Sequence, residues 1–498
     1  MTDDPIRHAD PSALGRRGRL ILITLCGATF MTGLDYSVVT VALPEIGRDL
    51  GFASPSSLQW VATACLLPTA SLLPLFGRVS DMVGRRRLFR VGVALFGAWS
   101  LTAALATGPA LLIAARAGQG ASAAMITPTA IALLTAAFPE GPRRTKALGV
   151  NGAVLSLGFV VGTLGGGVIT SGLNWRWTML LLAAISALVL LGTTTVPRGT
   201  GPRTPARLDV PGAVLAGIGL FALVYGISTG AGAGWESPPT LGSLLVAALS
   251  LAAFLRTERR HPTPLIPLDL LNRPTVKCSG LVGFVTLGMC GGTTVLLGLY
   301  MQDVLGYSAL ATGAGFLAEG IAALVAGVLA ARLITALGRV RTMSLGLAVQ
   351  GLATGAMVLL PAHDGRMLLL VTSGAMGFGH VLAVVSFLTT MTSGVREQEQ
   401  GTVAVLSQLP QFLGGIGTAG LAAIVTVRTD VQASSTDPGH ALLDGLHAAT
   451  LTAGLICLVT AALPVLLLRT APPDGSSQRA RGRARGPVRP RIEEDAGP

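Results

Sequence analysis

Gly77-Arg78-Val79-Ser80-Asp81-Met82-Val83-Gly84-Arg85-Arg86-Arg87-Leu88-Phe89-Arg90 is a charge-dense, glycine-punctuated stretch set between two long apolar runs. Leu58 to Phe76 before it and Val91 to Ala106 after it carry no Asp, Glu, Lys or Arg. A helix needs about twenty apolar residues to cross a bilayer, so the stretch reads as a short loop joining two spanning helices. Its five arginines assign it to the cytoplasmic face, where basic loops are retained.

The rest of the chain fits that reading. Its 498 residues are 51% hydrophobic and 12% charged, against about 25% charged in an ordinary soluble domain, and the mean hydropathy is +0.65. This is the composition of a polytopic membrane protein and excludes a soluble enzyme with an anchor. A formal charge of +12 would suggest a nucleic-acid partner in a soluble protein, but here the basic residues sort by loop. Apolar runs of spanning length lie near 20–43, 57–76, 88–107, 110–137, 147–170, 175–196, 209–229, 239–256, 276–301, 310–335, 342–361, 367–393, 401–427 and 446–468, fourteen in all. With both termini inside, the tails and alternate loops hold 31 of the 36 Lys and Arg. The outer loops hold only Arg48, Arg176, Arg366 and Arg428, and Arg116 alone falls inside a span. One helix more or fewer would destroy this asymmetry, so the charge is a topology signal and implies no nucleic acid. Arg16, Arg17 and Arg19 before the first run imitate a signal peptide, but that run is too long for one and lacks a convincing cleavage site.

The expected layout is a cytoplasmic N-tail (1–19), a six-helix bundle (20–196), a Pro/Gly/Arg linker (197–208), a two-helix insert (209–256), a second linker (257–275), another six-helix bundle (276–468) and a basic, disordered cytoplasmic tail (469–498). The loop from Gly327 to Arg341 echoes the opening stretch in its glycines and arginines but lacks its Asp. A duplicated six-helix unit is a transporter plan, with the substrate site between the repeats near the bilayer midplane. The cysteines at 26, 65, 278, 290 and 457 show no metal or disulfide spacing. No Walker lysine motif and no H-E-x-x-H occurs, so neither ATP nor a metal cofactor is expected and the energy must come from an ion gradient. A membrane potential supplies about 2.3 kcal/mol per charge per 100 mV.

Several motifs then resemble the major facilitator superfamily, and within it the 14-helix drug:proton antiporter branch. Gly77, Asp81, Gly84, Arg85 and Arg86 match the superfamily's cytoplasmic signature G-x-x-x-D-x-x-G-R-[KR]. Leu34-Asp35-Tyr36-Ser37-Val38-Val39-Thr40-Val41-Ala42-Leu43-Pro44 is similar to the branch's L-D-x-T-I-V-N-V-A-L-P, and Leu58-Gln59-Trp60 opens the second helix as that branch does. Arg116 with Gln119 and Gly120 matches R-x-x-Q-G. Gly158, Gly162, Gly166 and Gly167 fit the antiporter signature G-x-x-x-G-P-x-x-G-G, with Thr163 in place of its proline. The resemblance implies an all-α integral membrane protein of two six-helix bundles plus a two-helix insert, fourteen transmembrane helices in all, acting as a monomer in a bacterial plasma membrane. It implies that the Asp81 loop latches the two halves at the cytoplasmic side, that the glycine face seals the fifth helix against the opposite half, and that protons exchange for a small-molecule substrate in a cavity lined by helices 1, 4, 9 and 12.

Physics singles out the same positions. A charged side chain inside a span costs at least about 2.5 kcal/mol on insertion scales and is usually paired or functional. Asp35 lies about 12 Å and Arg116 about 9 Å from the outer ends of their runs, at comparable depth. They form either a fixed neutralising pair or one that opens when Asp35 takes a proton. Glu319, about 14 Å from an outer end, is a second candidate for a proton or a cationic substrate, or else a protonated acid packed among helices. His380 is a weaker candidate. The leading expectation is a proton-coupled exporter of small amphipathic compounds, such as antibiotics or secondary metabolites. A proton-coupled importer, or a non-transporting receptor or assembly protein of the same fold, are the alternatives.

Overall fold

The computed structural model describes residues 15–52, 55–138, 140–196, 209–261, 266, 268–395, 399–432 and 438–468. The N-terminal residues before these, the linker at 197–208, part of the second linker and the basic tail lie outside the described residues. Among the described residues every regular element is helical. They are α1 (Arg16–Leu50), α2 (Pro55–Val83), α3 (Arg85–Ala104), α4 (Pro109–Ala137), α5 (Pro142–Gly172), α6 (Trp175–Gly192), α7 (Val210–Ala233), α8 (Pro238–Glu258), the short α9 (Leu268–Asn272), α10 (Pro274–Leu299), α11 (Ala309–Gly315), α12 (Leu317–Leu337), α13 (Arg339–Ala356), α14 (Arg366–Met391), α15 (Gln400–Gln432) and α16 (Pro438–Leu468). Thirteen spans, with α11 and α12 making one, are long and apolar enough to cross a membrane. The twenty-residue α3 falls short only because arginines fill its first turns. It completes the set of fourteen, and the chain is a multi-pass membrane protein.

Local chemistry sets the helix starts. Pro109, Pro142, Pro238 and Pro274 stand at the first helical position, where a missing N–H costs nothing. Asn174 caps α6 by accepting from the Arg176 amide, and Asp209 caps α7 by accepting from that of Gly212, both at 2.9 Å. Several boundaries differ from the sequence expectation: the opening stretch is not a loop, since α2 runs through Gly77 to Val83 and α3 begins at Arg85 with only Gly84 between them, and α16 begins at Pro438. α1 does not stop near residue 43 but runs through Pro44 to Leu50, because its polar last turns find partners on the start of α6. Asp49 accepts from the Trp175 indole N–H at 2.9 Å and pairs with Arg176, while Glu45 accepts from the Trp175 amide. The tenth span is interrupted at Phe316, between α11 and α12.

α1 to α6 pack as one bundle and α10 to α16 as another, and matching pairs recur: α1 with α5 as α10 with α15, α2 with α4 as α12 with α14, and α3 with both α4 and α6 as α13 with both α14 and α16. The duplication reaches the backbone. Gly84, between α2 and α3, and Gly338, between α12 and α13, have φ of 102° and 82°, a region that side-chain-bearing residues avoid. Thr335 stands where the first copy has Asp81. α7 and α8 pack on each other, and α7 rests on α2 and α15.

The bundles meet along α5 and α12 over most of their height. Gly149 and Ala153 face Gly327, and Val160 faces Gly320. Further contacts close the end that carries the arginine-rich loops. There Ile131 and Ala132 of α4 cluster with Ala404 of α15, and Gly152 of α5 lies against Val381 and Val385 of α14.

Candidate functional site

Asp35 is 3% and Arg116 2% exposed. Arg116 Nη1 donates to Asp35 Oδ1 at 2.5 Å and to Gln119 Oε1 at 2.8 Å, while its Nε donates to the Val61 carbonyl at 3.0 Å. Gln119 Nε2 donates to Ser100 Oγ at 2.8 Å, and Ser100 donates to the Phe96 carbonyl. The Cys65 thiol lies 3.7 Å from the other Asp35 oxygen. One polar chain therefore links α1, α2, α3 and α4 inside the first bundle. Asp35 and Arg116, expected at comparable depth, fall together.

The glycine face of α5 decides how Asp35 is aimed. Gly158, Gly162 and Gly166 lie against α1, not against the opposite half as the resemblance implied. A Cβ on Gly158 would come within 2.5 Å of the Phe30 carbonyl oxygen, one on Gly162 within 2.8 Å of that of Leu34, and one on Gly166 within 2.7 Å of Val38 Cγ2. Gly167 is looser, its Cβ meeting Val41 at 3.7 Å. Residues four apart share a helix face, and residues two apart lie about 200° away. Thus 158, 162 and 166 turn to α1, whereas Val160 turns to α12. The close α1–α5 seam fixes Leu34 and Val38, and Asp35, about 100° round the helix from Leu34, is directed to Arg116 and Cys65.

The second bundle holds a related arrangement. Thr286 of α10 and Gln350 of α13 exchange two hydrogen bonds: Thr286 Oγ1 donates to Gln350 Oε1 at 2.6 Å, and Gln350 Nε2 donates to the Thr286 carbonyl at 3.0 Å. His380 Nδ1 of α14 lies 3.1 Å from the same threonine hydroxyl. One turn along α10, the Cys290 thiol lies 3.9 Å from Glu319 Oε1. Glu319 sits in the first turn of α12, just past the interruption at Phe316. It packs on Gly377 of α14, where a Cβ would come within 2.7 Å of Glu319 Cγ. Its Oε2 is buried without a hydrogen-bond partner, which suits a protonated acid or a bound cation better than a bare carboxylate.

In the opening stretch, Asp81 Oδ1 accepts from Arg85 at 3.1 Å, while Asp81 Oδ2 is buried without a hydrogen-bond partner. Arg86 donates to the carbonyls of Thr193 at 3.2 Å and Thr194 at 3.3 Å, at the end of α6. Gly77 is buried near the end of α2, and Gly84 makes the turn. These bonds tie the stretch to its own bundle. Among the described residues, polar links to the other bundle are made by Arg144 and Glu140. Arg144, 7% exposed, donates to the carbonyls of Phe138 and Thr135 and, at 3.5 Å, to that of Thr392 beyond α14. Glu140, paired with Arg144 at 3.2 Å, accepts from the Gly394 amide at 3.0 Å. Sequence reading assigned Arg144 only to a basic loop, because nothing local reveals which carbonyl it reaches. Gln350 was more accessible to inference, as the one glutamine within its apolar run.

Residues 25–419 match the family model described as Major Facilitator Superfamily. The chain belongs to that superfamily. It is 38% identical over 464 residues to the cephamycin export protein CmcT of Amycolatopsis lactamdurans, covering 91% of this chain and 93% of that one. It is 35% identical over 460 residues to the puromycin resistance protein pur8 of Streptomyces alboniger, covering 90% of each. The crystal structure of the human organic anion transporter MFSD10 superposes with a TM-score of 0.62 over 92% of this chain and 100% of that one, at 18% identity, a likeness of fold. Membership of the major facilitator superfamily makes the chain a transporter rather than an enzyme. Among the described residues no group of His, Cys, Asp and Glu is arranged to hold a metal.

Proposed function

We propose that this superfamily member is a proton-coupled exporter of small amphipathic compounds, working by alternating access in a bacterial plasma membrane with both termini cytoplasmic. The observation that carries the proposal is the buried Asp35–Arg116 pair, held in a transmembrane bundle and linked through Gln119 to Ser100. The names of the relatives, one a cephamycin exporter and one a puromycin resistance protein, support export and an antibiotic-like substrate.

In this mechanism a proton entering from outside neutralises Asp35 and releases Arg116. The α1–α5 seam and the polar chain to α3 transmit the change, and the closed basic end opens. Loss of the proton to the cytoplasm restores the pair. Glu319, with an unpartnered oxygen beside Cys290, is the second group able to exchange a proton or meet a cationic substrate. The Arg144–Glu140 link biases closure of the cytoplasmic side.

The test is uptake into inverted membrane vesicles under an imposed pH gradient, with a compound identified by screening a deletion strain against a toxic panel. The parent should accumulate the compound as protons leave the vesicle, and Asp35→Asn should abolish that flux while reaching the membrane in normal amount. Gradient-driven flux surviving in Asp35→Asn would remove Asp35 from the coupling. Flux in the same direction as the proton would make the protein an importer.

A further inference from the structure

The two-helix insert leaves a cleft of about 720 Å³ where α7 and α8 meet α2. It is lined by Ser71 and Leu75 of α2, by a stripe of α7 from Val210 through Ile218 and Phe221 to Tyr225, and by Ser243 of α8. All three helices are membrane spans, so the cleft opens to the bilayer. The α7 stripe is sixteen residues long and its ends are about 22 Å apart, more than the roughly 15 Å of hydrocarbon in one leaflet.

The lining offers a ligand almost nothing polar. The Ser71 hydroxyl donates to the Leu67 carbonyl and that of Ser243 to the Pro239 carbonyl, both at 2.7 Å, which leaves the Tyr225 phenol as the remaining hydroxyl donor of the lining. A drug carrying hydroxyls or amides would lose hydrogen bonds on entering, whereas a hydrocarbon chain loses none.

One end of the cleft lies beside arginines. α2 and α7 run antiparallel, and Gly217 stands opposite the Ser71 carbonyl. Seven residues from Ser71 towards the basic end is Arg78, and seven residues back from Gly217 is Val210. Each is about 10 Å along, so Arg78 stands level with the end of the cleft, on the α2 face that carries Ser71 and Leu75. Its Nε is buried without a hydrogen-bond partner. Asp81, about one turn further along α2, pairs with Arg85 through Oδ1 and leaves Oδ2 unpartnered, and the buried Asp209 and Glu258 lie at this end as well. Arg259 and Arg260 lie at the same end, beside His261, which is 3.8 Å from the Asp209 cap of α7.

We propose that this cleft is a binding site for one anionic membrane phospholipid, with an acyl chain along α7 and its phosphate at Arg78. The lipid fills the gap between the insert and the first bundle and ties α7 to α2 one turn from Asp81.

The test is native mass spectrometry of the full-length transporter in mild detergent, titrated with phosphatidylglycerol and with phosphatidylcholine. Gly242→Trp fills the cleft: Gly242 lines it, and a Cβ there meets no atom within 4 Å. Val214→Trp, from an exposed lining position on α7, is the second filling variant should the first not fold. The parent should retain one phosphatidylglycerol, and a filling variant with an unchanged elution profile should bind it at least tenfold more weakly. Arg78→Gln should cost about fivefold for phosphatidylglycerol, the factor one interfacial arginine contributes, and leave phosphatidylcholine unaffected. Equal phosphatidylglycerol affinity in the parent and a folded filling variant would overturn the site. Equal affinity for the two lipids would overturn the anionic headgroup. Displacement of the lipid by a transported compound would make the cleft a substrate path instead.

Discussion

The Asp35–Arg116 pair predicts an asymmetry between its two single deletions. In Asp35→Leu the guanidinium keeps only the Val61 carbonyl and Gln119 Oε1 as acceptors, in a site where Arg116 is 2% exposed. A guanidinium cannot shed its proton in a protein, so the stranded cation should cost about 3–5 kcal/mol, as removal of one partner from a buried pair does. In Arg116→Met the remaining carboxyl can bind a proton and become neutral. The loss is then that of hydrogen bonds and packing, about 1–3 kcal/mol. The double variant Asp35→Leu/Arg116→Met removes both charges and should lie close to the parent, because apolar replacement of a whole buried pair is often neutral or stabilising. Reversible unfolding of the purified transporter in mixed micelles measures all three against the parent. Gradient-driven transport should be lost in each, including the stable double variant, which separates coupling from folding. If Arg116→Met proved less stable than Asp35→Leu, the account of Asp35 as the partner that can neutralise itself would be wrong.

The α1–α5 seam predicts that Gly162→Val, whose Cβ would press within 2.8 Å of the Leu34 carbonyl oxygen, costs about 1–3 kcal/mol and abolishes transport. Gly167→Ala, with an ordinary 3.7 Å contact to Val41, should match the parent in both assays. Gly377→Ala places a methyl 2.7 Å from both Glu319 Cγ and the Glu319 carbonyl oxygen, so it should cost about 1–3 kcal/mol and alter proton release on substrate binding by the protein that reaches the membrane. Unchanged release would detach Glu319 from the cycle. Arg144→Ala removes the bonds to the Phe138, Thr135 and Thr392 carbonyls. It should raise the rate at which a cysteine placed at Ala132, on the closed end, reacts with a membrane-impermeant maleimide, and an unaltered rate would refute the link as a lock.

Length and charge patterning alone determined that this chain crosses a membrane and how many times. A spanning helix must satisfy its backbone internally and present apolar side chains to lipid, and both demands are written in consecutive residues. The isolated charges Asp35, Arg116 and Glu319 were visible for the same reason: each is costly where it stands. The motifs added the family, and the family model agrees over residues 25–419.

Helix rotation and cross-bundle partners were decided only by the tertiary structure. Glycines at 158, 162 and 166 announce a close approach, but not whether the neighbour is α1 or α12. That choice depends on how the whole of α5 is turned, and it fell to α1, beside Asp35. Arg144 looked like one more loop arginine until folding set it under the Thr392 carbonyl, 248 residues away in sequence. α1 outlasted its apolar run because Trp175 and Arg176 were waiting for Asp49. A pattern of residues records what each helix needs from its surroundings, and the packed structure records which neighbour supplies it.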